Sequence, residues 1–150
     1  MGLDMYMIRR KKESEDVAYW RKANAIHNWL VKNVQYGEDN CYPHEVYKEQ
    51  LEELKETCEK VLESLKNSGT HKEKVRVGFG PNGDIYEDID VFDNTELAEE
   101  LLPTTSGFFF GSTQYDEWYI KDLENTIEQL DKILKETDFD NYYIEYQSSW

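Results

Sequence analysis

Residues 103–119 read PTTSGFFFGSTQYDEWY, a short run of hydroxyl side chains and aromatic rings that contains two glycines. Pro103 ends the helical pattern before it, because proline has no backbone N–H to donate to a helix. Gly107 and Gly111 bracket three phenylalanines, and at each position glycine permits a positive φ or a close approach of the backbone to a neighbouring group. The segment therefore predicts a loop of specified backbone shape, around which the rest of the chain is organised.

The same segment predicts the start of a helix. Ser112 or Thr113 suits the N-cap, and Thr113 with Asp116 three residues later resembles a capping box. A loop that leads into a helix N-terminus can hold an anion or a sugar hydroxyl, but no lysine follows the second glycine as a Walker motif requires. The alternative interpretation is a capped helix preceded by a hydrophobic plug, with Phe108 and Phe110 in the core.

Composition and charge limit the class of protein. With 150 residues, of which 39% are hydrophobic and 14% aromatic, the chain is long enough for one domain with a core of bulky side chains. The net charge of −15 argues against direct binding of nucleic acid, because its phosphates would be repelled. Residues 1–32 carry seven basic and four acidic side chains, a balance of +3 that leaves −18 for the remainder. A small anion therefore suits the N-terminal third.

Cysteine usage and hydropathy bear on the compartment. Cys41 and Cys58 give no disulfide framework, and basic residues interrupt the N-terminal stretch where a signal peptide would be apolar. No apolar run is long enough to cross a bilayer. The sequence therefore predicts a cytoplasmic protein with no membrane segment. Cys41 and His44 form a lone half-site for zinc, so neither a metal nor a cofactor is expected.

Hydrophobic periodicity predicts an α+β fold, with residues 1–150 in a single domain. We expect a sheet of about three strands with long helices packed on one of its faces. The strands are expected at residues 3–10, 41–47 and 141–150, and the helices at residues 15–34, 48–66, 95–102 and 115–136. The sequence GPNG at residues 80–83 predicts a turn, and with it an inserted β-hairpin around residues 74–92. Pro43 confines the middle strand to a sheet edge or to a strand start.

The predicted helix over residues 15–34 carries a candidate site. Trp20, Asn24 and His27 form a mixed polar and aromatic stripe beside the buried one, as in many pocket linings. The alternative interpretation places Trp20 at the edge of the core, with His27 hydrogen-bonded to a backbone carbonyl. Together with the central loop, this stripe predicts a ligand-binding site formed by Trp20, Arg21, Asn24, His27, Thr104, Thr105, Ser106, Gly107, Gly111, Ser112 and Trp118.

Several longer motifs resemble those of a known family. They are MGLDMY at residues 1–6, WRKANAIHNW at 20–29, LLPTTSGFFFGS at 101–112, YDEWY at 115–119 and QSSW at 147–150. In these motifs the chain resembles a family of small phage and prophage proteins. The resemblance implies a phage source and action in the bacterial cytoplasm, and it brings no known activity.

The resemblance favours one function among three. Small phage proteins without an enzymatic motif often counter host defence, and some sequester nucleotide-derived immune signals. A nucleotide-like ligand suits the predicted site, because Trp20 and Trp118 could stack on a base and Arg21 and Lys22 could bind phosphate.

Two other functions are compatible with the sequence. Residues 84–100 contain eight acidic side chains and no basic one, which fits an acidic inhibitor that mimics DNA charge and binds a host defence protein. Alternatively, His27 could be the general base of a small enzyme, although the chain has no nucleophile elbow and no dinucleotide fingerprint. The oligomeric state is left open.

Overall fold

A four-stranded antiparallel sheet and the helices packed against it form the body of the protein. In this computed structural model the described residues are 2–10, 14–107 and 111–150. The strands are β1 (Asp4–Arg10), β2 (Ser14–Arg21), β3 (His44–Val46), β4 (Thr70–Gly80), β5 (Gly83–Phe92) and β6 (Tyr143–Ser149). The helices are α1 (Asn24–Asn33), α2 (Lys48–Lys66), α3 (Glu96–Leu101) and α4 (Glu117–Glu136). The α+β fold predicted from the sequence is confirmed, in a single small domain.

The two ends of the chain lie at the centre of the sheet. The strand order is β2-β1-β6-β3, so the sheet has four strands where about three were expected. Alternate residues of β1 and β6, among them Met5, Met7, Ile144 and Tyr146, are fully buried. This alternation is typical of an antiparallel sheet with one face on the core. β3 lies at a sheet edge, as Pro43 predicted.

The predicted helix over residues 15–34 is wrong in its first half. Residues 14–21 form β2, whose register with β1 places Trp20 opposite Met5, and α1 begins only at Asn24. Between them the chain turns at Lys22, which adopts a left-handed backbone conformation with φ 57°. A strand, a tight turn and a helix in succession reproduced a helical spacing of apolar residues, and pairing with β1 decided the outcome.

The helices predicted in the middle and C-terminal parts are confirmed. α2 has the predicted bounds. It buries Leu51, Leu54, Cys58, Val61 and Leu65 of the predicted stripe, whereas Leu62 of that stripe is only partly buried. α4 begins at Glu117, two residues after the predicted start, and packs along α2.

The inserted hairpin is confirmed and is longer than predicted. β4 and β5 pair along their length and turn between Gly80 and Gly83, where Gly83 has φ 108°. Near this turn four apolar side chains are exposed, Val77, Phe79, Ile85 and Tyr86. At the base of the hairpin, Phe92 N donates to Tyr115 O at 3.2 Å, so the hairpin adjoins the central loop.

Membrane and disulfide features agree with the composition. Within the described residues, no helix is both long and apolar enough to cross a bilayer. Cys41 is exposed, Cys58 is buried, and both are free. Burial raises the pKa of the Cys58 thiol to about 12, so this residue behaves as a core side chain.

Candidate functional site

A cavity of about 280 Å³ lies where the end of β2, the start of α1 and the start of α4 meet the central loop. This volume is close to the lower end of the range for small-molecule sites, roughly 300–1,000 Å³. Six of the predicted ligand-binding residues line it: Arg21, Asn24, Thr104, Gly111, Ser112 and Trp118. The structure therefore brings together the two segments that the sequence analysis assigned to one site.

Asn24 connects the cavity to both flanks of the central loop. Its Nδ2 donates to Ser112 O at 2.8 Å, and its Oδ1 accepts from Thr105 N at 3.0 Å. Asn24 is 4% exposed and lies in the first turn of α1, so a buried carboxamide holds two chain segments at a fixed distance from this helix. We infer that Asn24 shapes the wall of the cavity by positioning the loop.

Tyrosine hydroxyls add further ties between the loop and α4. Thr104 N donates to Tyr115 Oη at 3.2 Å, and Tyr119 Oη donates to Leu102 O at 2.7 Å. Thr104 Oγ1 also donates to Thr113 O at 2.9 Å, which joins the two flanks directly. These bonds fix the cavity wall before any ligand arrives, which lowers the entropy that binding must overcome.

Gly111 is required where the loop passes the turn between β2 and α1. Its φ is +91°, and a β-carbon at this position would lie 3.1 Å from Lys22 Cβ and 3.2 Å from Lys22 O. Both reasons for glycine that the sequence allowed, a positive φ and a close backbone approach, are confirmed here. The contact holds Lys22 against the loop at the edge of the cavity.

The start of α4 differs from the prediction. The N-cap is Asp116, whose Oδ1 accepts from Trp118 N at 3.0 Å and from Tyr119 N at 3.2 Å. The predicted cap at Ser112 or Thr113 is wrong, because Asp116 is itself placed to accept the first free amides of the helix. This cap fixes the first turn of α4, where Trp118 projects.

Trp118 supplies an aromatic surface at the cavity. Its side chain is 69% exposed, whereas its neighbour Tyr119 is 5% exposed. Lys121 Nζ lies 4.6 Å from the centre of the Trp118 ring, and Glu117 Oε1 is 3.3 Å from the same Nζ. A cation over an aromatic face favours a fixed ring orientation. An exposed, oriented indole beside a cavity can stack on a flat ligand.

Charges of opposite sign line the cavity. Arg21 and Lys22 come from the turn before α1, and among the described residues neither forms an ion pair with a carboxylate. Asp116 and Asp122 lie on the α4 side. Burial, together with the nearby charge of Asp116, raises the pKa of the Asp122 carboxyl to about 7. A carboxyl with a strongly shifted pKa in a cavity is a common feature of functional sites.

Trp20 does not line the cavity. Strand geometry directs it to the core, where it is 1% exposed and its Nε1 donates to Thr126 Oγ1 at 2.8 Å. The next residue, Arg21, lies on the opposite face of the strand and does line the cavity. The prediction that Trp20 is available to stack on a base is therefore wrong, because the segment is a strand and not a helix.

Three loop residues in the predicted site are also absent from the cavity lining. Thr105 contributes its backbone N–H to Asn24, while Ser106 and Gly107 are exposed to solvent. The predictions for Phe108 and Phe110 lie outside the described residues. The loop thus lines the cavity with Thr104 before the phenylalanines and with Gly111 and Ser112 after them.

His27 belongs to a separate, buried network. It is fully buried, with Nδ1 2.6 Å from Tyr146 Oη and Nε2 2.9 Å from Asp39 Oδ1. Burial lowers the pKa of the imidazole, against the opposing effect of Asp39. His27 does not line the cavity, so the prediction that it faces a ligand there is wrong. A general base must reach the proton it removes, and a buried His27 does not reach one in this cavity.

Six lining residues were not among the predicted ones: Lys22, Ala25, Gln114, Asp116, Tyr119 and Asp122. A signal for Asp122 was present, because it lies four residues after Trp118 in a predicted helix and so shares its face. Lys22 was expected to bind phosphate but was not assigned to the site. Within the described residues, no group of three or more His, Cys, Asp or Glu side chains could hold a metal ion.

The acidic run of residues 84–100 is partly neutralised within the protein. Asp84 lies 2.8 Å from Arg76 Nε, and Asp90 lies 2.9 Å from Lys72 Nζ, both across the hairpin. Asp93 is hydrogen-bonded to His71. These pairs reduce the continuous anionic surface that charge mimicry of DNA would use.

No protein-family model, curated protein or solved structure matches this chain. The resemblance to small phage and prophage proteins thus stays a prediction.

Proposed function

We propose that the protein binds a small, nucleotide-like ligand in the cavity between β2, α1 and α4. One observation carries this proposal: Arg21 and Lys22, the exposed indole of Trp118 and the hydroxyls of Thr104 and Ser112 border one cavity. Arginine and lysine bind phosphate, an indole stacks on a base, and hydroxyls bond to ribose. These are the three parts of a nucleotide.

The size and rigidity of the cavity support a single nucleotide. A volume of about 280 Å³ accommodates one ring system with a small substituent, and the rest of the ligand extends over the mouth. The hydrogen bonds of Asn24 hold the loop in place without a ligand. A preformed site binds with a smaller entropic penalty than one that must be ordered first.

The proposed biological role is sequestration. The predicted phage resemblance implies action in the bacterial cytoplasm, where a nucleotide-derived immune signal would be the ligand and a host defence system the target. Sequestration requires no general base in the cavity, and His27, the predicted base, does not line it. An enzyme that uses His27 is less well supported, because the imidazole is fully buried and bonded on both nitrogens.

Binding can be tested with two matched pairs of variants. Native mass spectrometry of the protein from bacterial cells would find a bound nucleotide, and calorimetry with nucleoside monophosphates and cyclic nucleotides would give Kd. Base stacking on an aromatic side chain contributes roughly 1–3 kcal/mol, so Trp118→Ala should raise Kd about 5- to 150-fold. Tyr42→Ala, equally exposed at 71% but outside the cavity, should leave Kd unchanged.

The proposed binding of phosphate is tested with a second pair of variants. Arg21→Ala should raise the Kd for nucleotides more than the Kd for nucleosides, because it removes a phosphate-binding cation. Lys74→Ala on the exposed hairpin removes the same charge away from the cavity and should have no effect. If no member of the panel binds, or if all four variants bind alike, the cavity is not a nucleotide site.

A second candidate function is inhibition by binding to a host protein. The exposed hairpin favours it, because Phe79 is 76% exposed and Tyr86 is 54% exposed on an element that packs little against the body. Exposed aromatic side chains of this kind are enriched at protein interfaces. The partial neutralisation of the acidic run argues for contact through this apolar tip rather than through mimicry of DNA charge.

A further inference from the structure

Asp122 places a half-buried carboxylate in the cavity, and within the described part of the chain this carboxylate accepts no hydrogen bond. It lines the cavity one helical turn after Trp118, so both side chains lie on the same face of α4. Its backbone oxygen accepts from Thr126 Oγ1 at 2.6 Å. Among residues 2–10, 14–107 and 111–150, no donor is hydrogen-bonded to its carboxylate, and its pKa is shifted by burial and by Asp116 alone.

The second carboxylate of the cavity is used differently. Asp116 is 8% exposed and caps α4 with two backbone N–H groups bonded to Oδ1. Its role is explained by the helix, whereas the carboxylate of Asp122 has no structural role in the described part of the chain. A partly buried carboxylate without donors destabilises a fold, so its place in a cavity points to a ligand that supplies them.

Resting on the nucleotide binding proposed above, we propose that the ligand is a guanine nucleotide, whose base stacks on Trp118 and donates two N–H groups to the Asp122 carboxylate. An ionised carboxylate has two acceptor oxygens and no donor. Guanine presents its N1–H and its 2-amino group side by side, whereas adenine and cytosine present a donor next to an acceptor. Only guanine among these bases therefore satisfies both oxygens at once.

The remaining groups of the cavity fit the same orientation. Arg21 and Lys22 line the cavity from the β2–α1 turn, while Trp118 and Asp122 line it from α4. The two cations thus come from a different wall of the cavity than the groups proposed to hold the base, and are available for the phosphate. Hydrogen bonds from guanine to Asp122 are charge-assisted, which makes them about twice as strong as neutral ones.

Guanine selection can be measured with three probes. Calorimetry is done at pH 8, because the Asp122 carboxyl, whose pKa is raised to about 7, is mainly ionised there. It should give the lowest Kd for GMP, a higher one for IMP, which has no 2-amino group, and the highest for AMP. A hydrogen bond to a charged group contributes roughly 1.5–3 kcal/mol, so GMP should bind about 10- to 150-fold more tightly than IMP. Asp122→Asn should bring the GMP and IMP affinities to within about twofold. The asparagine oxygen can accept from N1–H of either base, but its NH2 group is a donor and cannot bond to the 2-amino group of guanine.

A control on the same helix separates this effect from a change in charge. Glu124→Gln removes one negative charge at an exposed position of α4 outside the cavity, and it should retain the preference for GMP. Circular dichroism of both variants would verify that α4 is intact. A preference for GMP that persists in Asp122→Asn would overturn the assignment of Asp122.

The failure of this inference differs from the failure of nucleotide binding. If AMP binds as tightly as GMP while Trp118→Ala and Arg21→Ala weaken both, the cavity is a nucleotide site and guanine selection by Asp122 is wrong. If none of the three probes binds, both proposals are wrong. A GMP preference that is lost only in Asp122→Asn supports both.

Discussion

A single residue that is proposed to bind ligand in the cavity can also lower the stability of the folded protein. Asp122 is the clearest example, because burial and Asp116 raise the pKa of its carboxyl from 3.8 to about 7. Between these values the folded protein holds a proton that the unfolded chain has released. Stability therefore falls as pH rises through this window, and the full penalty is present above pH 7.

We expect Asp122→Asn to stabilise the protein at pH 8 and to have no effect near pH 4. The asparagine has nearly the same shape and no charge, so the gain in the free energy of unfolding is up to about 4 kcal/mol. Because roughly 1 kcal/mol shifts Tm by about 2–4 °C at this chain length, the midpoint at pH 8 should rise by about 5 °C or more. Urea and thermal unfolding at both pH values measure this.

The matched control is Glu124→Gln, which should show no pH-dependent gain because Glu124 is exposed. An equal Tm change at pH 4 and pH 8 would mean that packing, and not ionisation, explains the Asp122→Asn result. Stabilisation combined with loss of the GMP preference would be the usual opposition of stability and function at a binding site.

At the scale of elements, the β4–β5 hairpin is separable from the body. Its strands pair mainly with each other, and Asp93 N donates to Gly69 O at 2.8 Å, which closes the base of the hairpin. The bond from Phe92 N to Tyr115 O joins this base to the body. Its exposed apolar tip adds little to the core, because the buried cluster is built from β1, β2, β6 and the helices.

We therefore expect that replacing residues 73–89 by Asn-Gly leaves the fold and ligand binding intact. Lys72 and Asp90 are cross-strand partners, so a two-residue type I′ turn can join them. The Tm should change by less than about 4 °C, which corresponds to roughly 1 kcal/mol. Calorimetry with GMP and thermal unfolding measure the two outcomes.

The same variant distinguishes the two proposed functions. If anti-defence activity in infected cells is lost while nucleotide binding persists, the hairpin is the functional surface and inhibition of a host protein is favoured. If activity persists, the cavity alone accounts for it. A large fall in Tm would contradict the separability of the hairpin.

At the scale of the whole molecule, a hydrogen-bonded network with a buried centre joins distant parts of the chain. His27 on α1 contacts Tyr146 on β6 and Asp39 in the connection before β3. Asp39 Oδ1 also accepts from Trp150 Nε1 at 3.1 Å. The network thus attaches the C-terminus and a long connection to the same helix that positions the cavity.

This network predicts a loss of stability in weak acid. Burial lowers the pKa of His27 below its ordinary value of 6.5, so below that value the unfolded chain binds a proton that the folded protein does not. Stability is fully present above pH 6.5 and falls as pH decreases, by at most about 1.4 kcal/mol per pH unit from this group. NMR titration of the histidine rings in the native protein measures the midpoint directly.

His71 provides the internal control. Hydrogen bonds to Glu73 and Asp93 raise its pKa, so its titration midpoint should lie above 6.5 and that of His27 below it. The resonance that disappears in His71→Gln identifies the higher midpoint. A midpoint for His27 above 6.5 would contradict the account of the network, because it would show that Asp39 outweighs burial.

Local patterns determined those parts of the protein in which a single element decides its own structure. The amphipathic stripe of α2, the GPNG turn of the hairpin and the edge position that Pro43 requires were all predictable from residues close in sequence. The requirement for glycine at position 111 was predicted for the same reason, since φ is a local property.

Tertiary pairing decided the features that local pattern left ambiguous. The spacing of apolar residues over 15–34 predicts a helix, but residues 14–21 pair with β1 and form a strand. In this strand Trp20 faces the core and Arg21 faces the cavity. Likewise, His27 acquired its partners Tyr146 and Asp39 from distant parts of the chain. The sequence by itself determined the elements and the residues near the site. Only the tertiary structure decided which side chains meet in the cavity, because a strand alternates its faces every residue and a helix does not.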